Sequence, residues 1–327
     1  MSVELSEDGE VFRRRDWMSI VDADPTSTFF HSPRYLKLYW EEFGQATPLL
    51  LALVRDGDRC VGACAMERVG TTLRFLGGTD VTDYMGPVAI PGSEDHVAKE
   101  LFASLGSHEG WTDADLRGIP EDSPWLPRLL DAASGEGMRV EVGEDSVAPF
   151  LPLPPTHEAY LAALPGKLRH EIRRKARRLE AETGGYVVVQ TTERSLGADL
   201  DCFVELHRSS EGPKGRFMRP GMEIFFRRLG ESFLPDGVFR LTFVEVDGMK
   251  TAGAIGFAYG STFSLYNSAY DREWSRLSPG MVLVADLIER AIGEGCAAFD
   301  MLKGDLAYKY RFGATPRQVK RLLITRG

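Results

Sequence analysis

Cysteine and histidine are scarce in this 327-residue chain, at four and six copies. Neither is spaced as metal ligands are, so no Cys/His metal centre is expected. Cys60, Cys64, Cys202 and Cys296 are also too sparse for a disulfide-stapled scaffold, which points to a reduced, cytoplasmic protein. Cys60 and Cys64 share one face of an alternating strand pattern, a setting that suits buried thiols. No apolar run nears the ~20 residues of a membrane helix. The acidic, polar start MSVELSEDGEVFRRR is unlike a secretory leader. Positive charge is in deficit, with 39 Lys and Arg against 48 Asp and Glu and a net charge of -9. That balance argues against a general nucleic-acid or anionic-membrane binder but leaves room for a local basic site.

What is present suggests two halves with one plan. Asp56-Gly57 is followed by Gly62-Ala63, and Asp247-Gly248 by Gly253-Ala254, in the same register. Asp-Gly between β-rich runs signals a tight hairpin, because the turn needs positive φ. In the first half, helical patterns at 17–20 and 33–43 precede strands near 49–55, 59–68, 71–76 and 84–90. A helix near 94–107, a strand near 113–119 and a helix near 124–134 follow. In the second half, a helix is expected over 157–182, a strand at 185–192 and helices at 196–210 and 221–232. Strands at 238–246, 250–259 and 261–270 lead to a helix at 279–294 and a strand at 297–302. A short helix at 305–312 and a strand near 317–325 complete the pattern. This predicts an α/β (α+β) fold with two mixed sheets flanked by helices. The proline-rich LPLPP, 151–155, marks the junction between domains 1–150 and 151–327.

Several constellations carry chemistry. Ser278-Pro279-Gly280 opens a long apolar helix, with serine suited to the N-cap and proline to the first turn. The amides of Gly280, Met281 and Val282 are then expected to face outward as an anion site, although a plain capped helix reads the same. The strand before it carries Tyr266, Ser268 and Tyr270 on one face, and Tyr270 and Asp300 fall near the carboxyl ends of their strands, where such units bind ligands. Helix 158–182 buries a stripe of Leu161, Leu164, Leu168, Ile172 and Leu179. Its other faces carry Lys167, Arg169, Arg173, Arg174, Lys175, Arg177 and Arg178. That is either a solvated ridge paired with Glu171 and Glu180 or a site for an anionic substrate, a cofactor phosphate or RNA. Asp83-Tyr84 follows Gly77-Gly78 in what is either a cleft-facing loop or a turn. The segment FDMLKGDLAYKYRFGA, 299–314, crowds Asp305, Tyr308, Lys309, Tyr310 and Arg311 into a turn or two beyond Asp300.

Together these residues resemble the double-domain branch of the GNAT acyltransferase superfamily, which includes CelD-like acetyltransferases and Fem-type aminoacyl-tRNA-dependent peptidyltransferases. The likeness rests on LRHEIRRKARRLE (168–180), the Ser278-Pro279-Gly280 helix start, FFHSPRYLKLYWEEFG (29–44), and 299–314, which looks like the family's Phe-Asp-x-x-x-Gly-Asp…Tyr-Lys-x-x-Phe-Gly ending. The resemblance implies two tandem GNAT-like domains and a transferase using acetyl-CoA or another acyl-CoA. The donor would lie between splayed parallel strands 261–270 and 297–302, with its pyrophosphate on the helix start at Ser278, Gly280, Met281 and Val282. Lys309 would stand by the reacting carbonyl, Tyr308 would be the acid, and Asp300 or Asp305 the base or acceptor-orienting group. Main chain near Tyr270 would hold the thioester oxygen. Asp83, Tyr84, Tyr266, Arg169 and Arg173 are the candidate contacts to a small-molecule, sugar or peptide acceptor. The same resemblance leaves open an aminoacyl-tRNA donor held by the ridge Arg169–Arg178, or a catalytically silent binding module.

Overall fold

The computed structural model describes residues 2–210 and 213–327. The chain divides into two compact units, Met1–Val147 with Arg317–Gly327, and Ala148–Pro316.

The first unit contains β1 (Ser2–Ser6), α1 (Arg15–Ala23), α2 (Pro33–Tyr39), β2 (Leu49–Asp56), β3 (Arg59–Val69), β4 (Thr72–Phe75), β5 (Val88–Ala89), α3 (Glu94–Ser107), β6 (Asp113–Pro120), α4 (Trp125–Gly135) and β7 (Arg139–Val147). β2 and β3 are nearly continuous apolar runs because both faces of this part of the sheet are covered. Gly62 on β3 is required by close approach, since a Cβ there would lie 2.4 Å from Val97 Cγ2 of α3.

The second unit contains β8 (Phe150–Pro152), α5 (His157–Ala163), α6 (Gly166–Thr183), β9 (Val187–Gln190), α7 (Leu196–Arg208), α8 (Pro213–Phe217), α9 (Pro220–Phe233), β10 (Phe239–Val246), β11 (Met249–Tyr259), β12 (Thr262–Tyr270), α10 (Pro279–Gly293) and β13 (Ala298–Asp300). Its sheet runs β8-β13-β12-β11-β10-β9. β12 and β13 are parallel, joined through α10, and the other pairs are antiparallel.

The two sheets share a plan. In the first, β2-β3-β4 are antiparallel, and α3 carries the chain to β6, parallel to β4. In the second, β10-β11-β12, α10 and β13 repeat this. The two Asp-Gly turns join the corresponding strands, with Gly57 at φ +59 and Gly248 at φ +77.

The sequence-based domain boundary needs correction. The C-terminal strand β14 (Gln318–Thr325) belongs to the first sheet, between β6 and β7. It pairs antiparallel with both, and Val319, Leu322 and Ile324 are buried. Conversely, the proline-rich segment read as a linker contains β8, which pairs with β13. The second unit therefore ends at Pro316, not at 327. The first sheet thus takes its β14 from chain that sequence order gives to the second half.

Other differences are local. The helix expected over 157–182 breaks at Leu164-Pro165, where proline disfavours helix in the residue before it. The strand expected over 84–90 shrinks to Val88–Ala89, and the helix expected over 305–312 is a single 3-10 turn, Lys309–Phe312.

A chain truncated after Pro316 lacks the strand that fills the gap between β6 and β7. We expect it to lose cooperative unfolding of the first unit and to be cleaved there in limited proteolysis. A truncated chain as protease-resistant as the full one would show that β14 is dispensable.

Candidate active site

The parallel pair β12–β13 is held by only three register positions, ending at Ser264 and Asp300. β12 runs on to Tyr270 without continuing that register. Its pairing with β11 shifts between Ile255 and Gly256, so Tyr266 is a bulge residue, and the strand bends there. Beyond the bulge, Ser268, Ala269 and Tyr270 line a cavity of about 570 Å3. The start of α10 adds Ser278, Gly280, Met281 and Val284, and the loop after β13 adds Leu306, Tyr308 and Arg311. Lys175 comes from α6, and Ser210, Arg272 and Ser275 complete the wall.

The α10 start differs from the capped helix expected. Ser278 lies in the left-handed region, at φ +57 and ψ +47, and its side chain makes no cap bond. Its carbonyl instead accepts from the amides of Met281 at 3.0 Å and Val282 at 3.3 Å. Those two donors, expected to face a ligand, are thus spent inside the first turn, and Val282 is buried in the core. Ser278 Oγ accepts from Lys175 Nζ at 2.8 Å. Burial lowers the Lys175 pKa; Glu171 opposes this, while Arg311, Arg174 and Arg178 reinforce it. Glu171 lies 3.2 Å from Arg311 and 3.9 Å from Lys175. Positive character at the helix start therefore comes from the helix dipole and from Lys175, Arg272 and Arg311.

The loop after β13 is built by the residues that looked catalytic. Asp300 Oδ1 accepts from the Leu302 amide at 2.7 Å, and Leu302 is held at φ +56. Lys309 is buried, and its ammonium donates to the carbonyls of Met301, Leu302 and Lys303 at 2.6, 2.8 and 2.8 Å. An ammonium has three hydrogens, and three carbonyls take them. Lys309 was expected at the reacting carbonyl; it clamps this turn instead and does not line the cavity. Asp300 is likewise buried in the clamp. Asp305 is exposed and accepts the Tyr310 hydroxyl at 2.5 Å, which pushes the Tyr310 phenol up to about 12. Of the four residues expected to be catalytic, Tyr308 lines the cavity. Burial pushes its phenol above the ordinary value, and a hydrogen bond with Ser268 opposes the rise.

Tyr270, expected beside the donor, lines the cavity. Of the expected acceptor contacts, Tyr266 packs its ring on Phe226 and Phe257, with centroids 5.6 and 5.1 Å away. Arg169 and Arg173 lie on another face of α6, along a separate groove with His170 and Arg177. Asp83 and Tyr84 belong to the first unit. Tyr84 is buried there against Phe30, with the Arg317 guanidinium 5.4 Å above its ring, so it serves packing.

Sequence reasoning placed Lys175 in the cation ridge of α6 and Arg311 in the crowded 299–314 segment without giving either a place at the helix start, and it did not single out Arg272. A signal did exist for Lys175. It falls on the apolar stripe of α6, three residues after Ile172 and four before Leu179, where a lysine needs a reason.

Residues 166–310 match the family model described as an acetyltransferase (GNAT) domain. The whole chain is similar in fold to FemX, with 12% identity, 98% of this chain and 97% of that one covered, and a TM-score of 0.68. It is also similar to a conserved protein of unknown function from Bacteroides thetaiotaomicron VPI-5482 (15% identity, 99% of both chains, TM-score 0.64). The L-PGS from Bacillus licheniformis is a third such structure (13% identity, 98% and 92% covered, TM-score 0.61). No curated protein gives a significant match. These identities speak for the fold, and the double-domain GNAT and Fem-like resemblance of the sequence holds.

Replacing Lys309 by Met leaves three carbonyls of a buried turn without their donor. We expect Lys309→Met to destabilise the protein by about 3 kcal/mol, read by urea unfolding, because lost buried bonds to a charged group are worth that order. A variant as stable as the parent, yet inactive, would return Lys309 to the chemistry.

Proposed function

We propose that the second unit transfers an acyl group from a coenzyme A thioester to an amine or hydroxyl of a small-molecule, sugar or peptide acceptor. One observation carries this reading. The open end of β12 and β13, the start of α10, three cations and the half-buried Tyr308 all meet in one cavity of about 570 Å3. No Asp or Glu lines it among the described residues, so the cations suit a polyanionic carrier.

Coenzyme A thioester, when bound, supplies an activated acyl carbon and a thiolate leaving group. Lys175, Arg272 and Arg311 hold the carrier's phosphates at the positive end of α10. The β12 edge at Ser268–Tyr270, free of β13, offers main-chain donors to the thioester oxygen. Tyr308 Oη gives its proton to the leaving sulfur. Because the cavity wall holds neither carboxylate nor imidazole among the described residues, the acceptor's proton leaves to solvent.

A second reading, transfer from aminoacyl-tRNA, draws on α6. Lys167, Arg169, Arg173, Arg174 and Arg177 make no ion pair among the described residues, whereas Arg178, Arg208, Arg227, Arg276 and Arg290 each do. Phosphodiester contacts there give binding that weakens steeply with salt.

Acetyl-CoA and longer acyl-CoAs at about 100 times their dissociation constant are expected to stabilise the protein by about 2.7 kcal/mol in differential scanning fluorimetry. If charged tRNA binds and stabilises while no acyl-CoA does, the second reading stands and the first falls. Lys175→Met and Arg311→Met are each expected to raise the donor KM about tenfold, roughly the worth of one charge-assisted contact. Tyr308→Phe is expected to lower kcat about 10²-fold with little change in KM. A raised phenol pKa keeps the acid form at higher pH. The Tyr308-dependent part of kcat should therefore persist as pH rises through ~10, the ordinary tyrosine value, and fall only above it. A fall centred below 10 would remove Tyr308 as the acid.

A further inference from the structure

We propose that Glu171 is a positioning residue that holds the Arg311 and Lys175 cations in the cavity wall, ready for an anion. The proposal rests on the acyl-transfer reading of the same cavity. Glu171 precedes Lys175 by four residues on α6, the order and spacing in which a carboxylate and an ammonium meet on a helix. Arg311 Nη1 donates to Glu171 Oε1 at 3.2 Å, and Lys175 Nζ lies 3.9 Å from the same oxygen. Arg311 and Lys175 line the cavity, whereas Glu171 stands behind them and does not.

The main chain around Arg311 is fixed without Glu171. On one side, Lys309 clamps the carbonyls of Met301, Leu302 and Lys303. On the other, the buried Tyr160 of α5 donates its hydroxyl to the Phe312 carbonyl at 3.0 Å. What remains loose is the long Arg311 side chain, which is 47% exposed. Two cations in one wall also repel each other, and a carboxylate behind them offsets that repulsion. The contact leaves most of their donors unspent. Among the described residues the Arg311 guanidinium hydrogen-bonds Glu171 alone, through Nη1, so Nε–H and the Nη2 hydrogens stay available. Lys175 gives one hydrogen to Ser278 Oγ at 2.8 Å and, at 3.9 Å, none to Glu171. Both cations are thus placed while keeping donors for a ligand's oxygens. An ion pair this exposed contributes little to stability, so its effect falls on readiness for the anion.

The test uses the full chain, with inorganic pyrophosphate and coenzyme A as probes in calorimetry and acetyl-CoA as donor in kinetics. Glu171→Gln keeps the shape and removes the charge. We expect it to weaken binding of both probes about fivefold and to raise the donor KM by as much, with kcat and the urea midpoint unchanged. In an Arg311→Met background the same substitution should cost less than about twofold, because its effect passes chiefly through Arg311. If folded Glu171→Gln binds the probes as well as the parent or better, or if its loss is undiminished in the Arg311→Met background, the proposal is overturned. If Glu171→Gln does not fold, Glu171→Asp, which keeps the charge but is one methylene shorter, carries the same readings. A parent that binds neither probe would overturn both the proposal and the acyl-transfer reading. Probe binding that Glu171→Gln weakens, in a protein that transfers no acyl group from any acyl-CoA, would uphold the positioning role and overturn acyl transfer.

Discussion

The molecule's second unit depends on a ladder that stops early. β12 and β13 run parallel for three pairs and then part at Ser264 and Asp300. Parallel strands that separate leave main-chain groups without partners, which is unfavourable unless something else meets them. Here the space is occupied by a cavity, and the elements around it are arranged to keep it open. The bulge at Tyr266 turns β12 outward. α10 starts where the strands diverge, so its positive end faces the opening.

Holding that opening takes two devices of different kinds. One is the turn after β13, where Asp300 and Lys309 satisfy four main-chain groups between them and stabilise Leu302 in a left-handed conformation. A single left-handed non-glycine residue costs about 1–3 kcal/mol, so the surrounding bonds must outweigh it. The other is the contact of α6 with the start of α10, where Lys175 reaches Ser278 and Glu171 lies between Lys175 and Arg311.

Much of the fold was legible in the sequence, because its elements follow simple periods. The Asp-Gly echo marked the two corresponding hairpins, and the strand–helix–strand units followed from apolar pattern. β7 was missed because RVEVGEDSV is polar on both faces, with only Val140 and Val142 hinting at alternation. β8 was read as a linker and β14 was placed in the wrong half because pairing between distant segments leaves no local trace. At the site, chemistry-rich residues were found but their roles were not. An aspartate and a lysine near a glycine turn read the same whether they face a substrate or their own main chain. Tyr308 and Arg311 were visible as parts of one crowded segment and both line the cavity, whereas Lys175 and Arg272 meet them there only through the tertiary fold.

The placement of β14 has a consequence for how the polypeptide is made. Synthesis proceeds from the N-terminus, and domains generally fold as units in that order. In this chain the earlier unit cannot close its sheet until Arg317–Gly327 have left the ribosome, since Gln318–Thr325 sits between β6 and β7. The later unit has no such delay, because β8 precedes everything it pairs with. The nascent first unit therefore waits with two facing strand edges unfilled, a state open to foreign strands and to chaperones that recognise them. The later unit can thus complete its sheet before the earlier one does.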